Sequence, residues 1–457
     1  MDFSFSDEQK MLRDNIVKFA QRELCEGAME RDRAQSFSPE LWRRCADIGI
    51  QGLPVPEEYG GSGFDPLSCA IGLEALGYGC RDGGLVFSLC AHLLACAVPL
   101  WSHGSAEQKR RYLPGLCDGS LIGMHALTEP GSGSDSFSMR TRAEKESDGW
   151  RINGTKTFIS NAPVGDLALV FALTDAKKGF YGGVTAFIVP AKTPGFSVGN
   201  KFEKMGLRTS PVGDVVFQDM RVPDDAVVGS VGGGSSVFAT AMDWERILLV
   251  ASHVGVIERL METSLAYART RSQFGQAIGK FQAVAHKIAD MKTQLEAARL
   301  LTYRSAWRLE NSRSASLDAS ITKLFVSETL VKVALDTVQI HGGYGFIAEF
   351  EVERALRDAV GSTIYSGTSE MQRNIIARWL GLLRSGTPTG ITAGGICRAA
   401  FRMEHVATPD PAAVTVSDPR VVRRRLAVAQ AGCPAANPLL HARRRAGRRL
   451  AVAALVR

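Results

Sequence analysis

Trp150-Arg151-Ile152-Asn153-Gly154-Thr155-Lys156-Thr157-Phe158-Ile159 carries β-type residues on both sides of an Asn-Gly pair. Aromatic and β-branched side chains favour extended backbone, and Asn-Gly favours a tight turn. The stretch therefore reads as two β runs with a turn between them. Leu167-Ala168-Leu169-Val170-Phe171, Val184-Thr185-Ala186-Phe187-Ile188-Val189 and Asp214-Val215-Val216-Phe217 follow, separated by turn signals. Together they predict a sheet or barrel. Gly229 and Gly232-Gly233-Gly234 punctuate its end. They lack a strand–G-x-G-x-x-G–helix context, so a hinge into the next helix is the better reading than a phosphate loop.

Outward from this region the pattern is helical on both sides. Upstream, Ser6-Asp7-Glu8 reads as an N-cap region, followed by Met11, Ile16, Val17, Phe19 and Ala20 at helical spacing. After the break Glu58-Tyr59-Gly60-Gly61-Ser62-Gly63, the stretch from Leu67 to Leu100 is apolar but rich in small residues and interrupted. Buried helices fit it better than a membrane span. Downstream, helical patterning runs to about Leu383, with long segments at 236–270 and 282–311. Helix, sheet, helix is an α+β order without the βαβ alternation of a Rossmann domain. The expected units are 1–121, helical; 122–232, β; 233–383, helical; and 384–457, a basic and disordered tail.

The chain has 457 residues, 45% apolar and 22% charged. That excludes a wholly disordered, collagen-like or coiled-coil chain. The acidic start, Met1 to Glu8, lacks a signal pattern, and a cytoplasmic protein is expected. Nine cysteines, with no C-x-x-C pair, argue against a disulfide framework or a zinc ribbon. The eight histidines form no H-E-x-x-H pair, and no metal is expected. The formal charge of +7 is uneven. Ser385 to Arg457 holds twelve arginines, no lysine and three acids, or +9, which leaves −2 for the rest. Such a tail is either a solvated extension or a surface for nucleic acid or another polyanion; the first is the expectation.

Four segments bear chemistry. Leu127-Thr128-Glu129-Pro130-Gly131-Ser132-Gly133-Ser134-Asp135 is rich in N–H and hydroxyl donors. Lys156-Thr157-Phe158-Ile159-Ser160-Asn161-Ala162 pairs an aromatic ring with a hydroxyl at a strand end. Arg269-Thr270-Arg271-Ser272-Gln273-Phe274-Gly275 offers guanidinium groups to a diphosphate. The fourth joins Gln339-Ile340-His341-Gly342-Gly343-Tyr344-Gly345 to Ile364-Tyr365-Ser366-Gly367-Thr368-Ser369-Glu370-Met371-Gln372-Arg373.

In order and spacing these segments resemble the acyl-CoA dehydrogenase family, flavoproteins that desaturate acyl thioesters. The resemblance covers residues 1 to about 383. It implies a helical N-domain, a middle β-barrel, a C-terminal four-helix bundle, FAD and a homotetramer. It implies that Leu127, Thr128 and Ser134 meet the flavin pyrimidine edge, with Ser134 also reaching the substrate. Phe158 and Ser160 fall beside the flavin; for Phe158, core packing is an equal alternative. Arg271 and Phe274 match contacts to FAD from a neighbouring subunit. Gln339, Gly342 and Gly343 match the adenosine-diphosphate cradle, and Thr368 and Glu370 the last phosphate-side contacts.

Many members of that family carry the catalytic Glu immediately after the Tyr of Tyr-x-Gly-Thr. Here that position is Ser366, and a neutral hydroxyl cannot take an α-proton unaided. Either the protein is inactive or the base comes from elsewhere. Glu245 is the candidate. It shares a helical face with Phe238, Ala241, Leu248 and Ser252, an apolar setting that raises a carboxyl pKa. The isovaleryl- and long-chain-type subset places its base on this helix, with a small residue at the position of Ser366. A buried structural Glu paired with Arg is the competing reading. Arg246 and Tyr365 are expected at the substrate, and the Ser366 main-chain N–H at the thioester oxygen. Ser366→Ala is expected to stay active.

Gly83-Gly84-Leu85-Val86-Phe87-Ser88 and Ala241 to Arg246 also look like flavoproteins that act on carrier-protein-bound acyl or aminoacyl groups in antibiotic biosynthesis. The expected activity is α,β-dehydrogenation of a short, branched or cyclic acyl thioester, held by CoA or a carrier protein. The alternative is an L-prolyl-carrier-protein dehydrogenase or oxidase. A flavin-fold nucleic-acid-binding protein is the non-enzyme alternative. Electrons are expected to pass to an electron-transferring flavoprotein or to oxygen, with no membrane involved.

Overall fold

α1 (Asp7–Glu23) opens on a capping box: Ser6 Oγ accepts the Gln9 N–H, and the Gln9 side chain accepts the Ser6 N–H. This computed structural model describes residues 4–383, apart from 313; the basic segment placed at 384–457 lies outside the described residues. α2 (Ala28–Ala34) and α3 (Pro39–Asp47) follow, then α4 (Pro66–Gly79), capped by the Asp65 carboxylate. α5 (Gly83–His92) continues through a π-helical turn, Leu93–Ala97, into α6 (Val98–His103), and α7 (Ala106–Cys117) completes the helical segment. Pro99 has no N–H to give the Ala95 carbonyl four residues back. His125 Nδ1–H, from the neighbouring strand, donates to that carbonyl at 2.8 Å. The continuous Gly83–His103 helix is the one among the described residues long and apolar enough to cross a membrane; 83% of its apolar window is packed inside the protein.

The middle region is an eight-stranded mixed sheet: β1 (Gly123–Ala126), β2 (Arg142–Glu146), β3 (Gly149–Ser160), β4 (Leu167–Leu173), β5 (Val184–Pro190), β6 (Phe196–Lys201), β7 (Val212–Val222) and β8 (Val227–Val228). The order is β6-β7-β3-β2-β4-β5-β8, with β1 parallel to β4. Leu167, Leu169 and Phe171 of β4 face the helical core, and Ala168, Val170 and Ala172 the sheet's own core. A strand buried on both faces shows a continuous apolar run, which is how β4 reads in the sequence.

The expected turn at Asn153-Gly154 is absent. β3 is one strand of twelve residues with a bulge there. Turn propensity yields to cross-strand pairing. Asn153 Nδ2 donates to Asp219 Oδ1 at 3.2 Å, and Asn153 Oδ1 accepts the Asp219 N–H at 2.8 Å. Gly154 serves the close approach instead, since a Cβ there would lie 2.4 Å from Thr141 Oγ1.

After a short helix, α8 (Phe180–Gly183), α9 (Gly234–Thr270) is the longest element. A hairpin of β9 (Ser272–Gln273) and β10 (Gln276–Ala277) leads to α10 (Gln282–Asn311) and α11 (Ser316–His341). α12 (Gly343–Phe346), α13 (Val352–Gly361) and α14 (Ser369–Trp379) end the described chain. α9 packs on α4, α10 and α11 and is buried around its whole middle. Its contact with α4 depends on two glycines. A Cβ on Gly77 would sit 1.9 Å from Ser252 O, and one on Gly255 2.0 Å from Glu74 O. This backbone-to-backbone approach fixes α9, and with it the residues at 245 and 246.

Candidate active site

Glu245 and Ala241, Leu248 and Ser252 lie buried on α9, as their spacing predicts. The turn 365–367, between α13 and α14, meets that face. Ser366 Oγ donates to Glu245 Oε1 at 2.7 Å. The backbone of the turn is pinned by three side chains from other elements. Arg246 Nε donates to Ser366 O at 3.0 Å, Lys323 Nζ to Gly367 O at 2.7 Å, and Gln372 Nε2 to both carbonyls at 3.1 and 2.8 Å. Burial pushes the Glu245 carboxyl up; the Ser366 hydroxyl and the charges of Arg246 and Lys323 partly oppose it. Burial likewise lowers Lys323 to about 8. Lys323 and Gln372 were not anticipated. The available signal was a lysine on the buried stripe of α11, beside Ala319 and Val326.

Tyr365 is sandwiched next to this pair. Its ring lies 4.8 Å from Phe87, and its Oη shares a 2.9 Å hydrogen bond with His253 Nε2. Burial depresses His253 to about 3, so the imidazole is neutral. A cavity of about 190 Å³ opens here, lined by Val86, Phe87, Leu249, Val256, His253 and Tyr365 together with charged Arg259 and Asp358.

The Leu127–Asp135 loop and the end of β3 form a second group. Lys156 is fully buried, and its Nζ donates to Leu127 O at 2.9 Å and to Glu129 Oε1 at 2.8 Å. The Glu129 carboxylate also accepts the N–H groups of Arg140 and Thr141, and Thr157 N donates to Thr128 O. Leu127 and Thr128 are thereby clamped against Lys156 and Thr157, with Phe158 next in the strand, Ser160 two residues farther along β3, and Ser134 exposed farther along the loop. Phe158 is 65% exposed at φ 57, so core packing does not explain it. Such a backbone is unusual for a bulky residue and marks strained functional positions. Asn161 Nδ2 donates to Ser88 O on α5, and Phe87 on the same helix touches Tyr365. α5 thus links the two groups.

A third group is distant. Arg271 stands twenty-six residues beyond Glu245 on α9, roughly 39 Å at the rise of an α-helix. Its guanidinium lies 5.7 Å from the Tyr344 ring, beside exposed Gln339, Gly342 and Gly343. Phe274 and Gly275 form the two-residue turn of the β9–β10 hairpin, both at positive φ, and Phe274 is 94% exposed. The structure does not bring this group to Glu245 within one chain. Thr368 caps α14 through Met371 N, and Glu370 is exposed in its first turn.

These loops fit a flavin dinucleotide. A Cβ on Gly131, Gly133 or Gly343 would meet nothing within 4 Å, so the chain's own packing does not demand glycine there; Gly342 is equally open, but its φ of 58 itself favours glycine. They leave backbone bare for a planar or phosphorylated ligand. Among the described residues no cluster of His, Cys, Asp and Glu is arranged to hold a metal, and the described cysteines are free thiols.

The chain matches the descriptions "Acyl-CoA dehydrogenase, N-terminal domain" over residues 6–120, "middle domain" over 125–220 and "C-terminal domain" over 232–381. It is 42% identical to an L-prolyl-[peptidyl-carrier protein] dehydrogenase of Pseudomonas fluorescens, across 84% of this chain and 100% of that protein. It is 38% identical to a mitochondrial isovaleryl-CoA dehydrogenase of Oryza sativa, across 82% and 92%. The solved structure described as PigA with FAD and proline superposes with a TM-score of 0.82 at 41% identity, covering 84% of this chain and 100% of that one.

Proposed function

The chain belongs to the acyl-CoA dehydrogenase family, and from that premise we propose that it is an FAD-dependent enzyme that desaturates a short, branched or cyclic acyl thioester. The observation that carries this reading is the buried Glu245 carboxylate held against the turn at Ser366. Glu245 takes the substrate's α-proton; its raised pKa brings its proton affinity nearer that of a base working close to neutrality. Arg246, Lys323 and Gln372 hold the turn, so the Ser366 N–H meets the thioester oxygen in a fixed place, an oxyanion-type contribution of about 3 kcal/mol. Bound FAD supplies the acceptor for the β-hydride. Leu127, Thr128 and Ser134 hold its pyrimidine edge, with Phe158 and Ser160 alongside and Thr368 and Glu370 on the phosphate side. The distant Arg271, Phe274, Gln339, Gly342 and Gly343 serve the adenosine diphosphate of a neighbouring copy. Exposed Phe274, Phe346 and Leu382 support the interface between copies that this requires, and a homotetramer is the assembly we propose.

The finer reading is an L-prolyl group on a carrier protein, favoured by the full-length match at 42% identity to an enzyme of that name. The test is anaerobic: purified holoprotein is mixed with isovaleryl-CoA, then with a prolyl-loaded carrier protein, and flavin bleaching is followed. Bleaching only by the carrier-bound group supports the finer reading; bleaching by the CoA ester replaces it with the broader one. Reoxidation by oxygen or by an electron-transferring flavoprotein then identifies the acceptor.

A further inference from the structure

Ser366 stands at φ 56, in the left-handed region where a side chain is strained and glycine is not. The surrounding turn is held through its carbonyls by Arg246, Lys323 and Gln372, and Thr368 caps the helix that follows. None of these bonds uses the Ser366 side chain. What that side chain does is give its hydroxyl to Glu245 Oε1, in a part-buried hydrogen bond of 2.7 Å. A hydrogen bond to a charged acceptor of this kind is comparable in size to the backbone strain of one left-handed residue, so it offsets that strain.

We propose that Ser366 is a positioning residue for the base: its hydroxyl fixes one oxygen of the Glu245 carboxylate and leaves Oε2 to meet the substrate's α-proton. This rests on the thioester reading above. The charged and titratable groups facing Glu245 are Arg246 from its own helix, Lys323 from α11, Cys90 from α5 and Tyr365 from the turn. Burial keeps Cys90 and Tyr365 neutral, while Arg246 and Lys323 favour the carboxylate and stay in place when Ser366 is changed. Losing the hydroxyl therefore disfavours the charged form of Glu245 in a selective way. Ser366→Ala is therefore expected to turn over more slowly than wild type, and most of all below the acid limb of the rate profile.

The experiment compares wild type, Ser366→Ala and Ser366→Gly. In anaerobic flavin reduction, the acid limb of kcat/KM moves to higher pH by about one unit in both variants, roughly a tenfold loss below the limb. Ser366→Gly melts no lower than wild type, because the left-handed backbone is relaxed, so misfolding does not account for the shift. A limb at the wild-type pH in both variants overturns the proposal. A second readout needs no substrate. The drop in melting temperature caused by Ser366→Ala grows as pH rises through the Glu245 pKa, and this growth vanishes in a Glu245→Gln background. A pH-independent drop in both backgrounds overturns the proposal whether or not a thioester is found. If no thioester bleaches the wild type but this pH dependence appears, Ser366 still holds Glu245 and the thioester reading falls instead.

Discussion

At the scale of single residues, the decisive choice lies between two neighbouring acids on α9. Burial raises both: Asp243 to about 6, Glu245 in the same direction. Only Glu245 meets the Ser366 hydroxyl. Glu245→Gln is expected to keep FAD and lose about 10³-fold in turnover, the scale of a general base. Asp243→Asn keeps most of it; single-turnover flavin reduction compares the two. The stability effect has a definite sign. A carboxyl whose folded pKa is raised loses stability as pH climbs from its unfolded value through its folded one. Glu245→Gln removes that loss. Its melting temperature should therefore rise relative to wild type with increasing pH, a difference that scanning calorimetry across pH would show.

Elements are held in register by a few buried contacts. The Lys156–Glu129 pair joins the 127–135 loop to β3. Both groups are buried, so removing one strands the other. Lys156→Met should cost about 3–5 kcal/mol in denaturant unfolding. It should also weaken FAD binding more than tenfold by fluorescence titration, since the loop edge moves away from Phe158 and Ser160. Gly77→Ala tests the α4–α9 crossing. The added methyl would strike Ser252 O, and forcing the helices apart should cost about 3 kcal/mol. An unchanged melting curve would mean the two helices do not approach as closely as described.

On the scale of the whole molecule, the residues proposed for the adenosine side are the informative ones. They lie at the far end of α9 and α11 from Glu245, and an exposed phenyl ring sits at the tip of a two-residue hairpin. Phe274→Ala is expected to weaken FAD retention at least tenfold while leaving the circular dichroism spectrum unchanged. Light scattering should find the wild type as a tetramer. A monomer that binds FAD tightly would contradict the arrangement.

Much of this was legible in the sequence. Local patterns place the start of α1 at the N-cap region of Ser6, α9 and α10 close to their observed lengths, and Glu245 on a buried helical face. These signals are periodic or depend on neighbours a few residues away, so the linear chain carries them. The turn misread at Asn153-Gly154 shows the limit, because that dipeptide's conformation is decided by Asp219, sixty-six residues on. Lys323 and Gln372 on the turn, Lys156 on Glu129 and the hydroxyl of Ser366 on Glu245 are of the same kind. The residue types and their spacing determined the order of elements and a short list of chemical groups. Which group touches which was decided by tertiary packing, because a buried charge or hydroxyl takes its role from partners that only folding brings within hydrogen-bond reach.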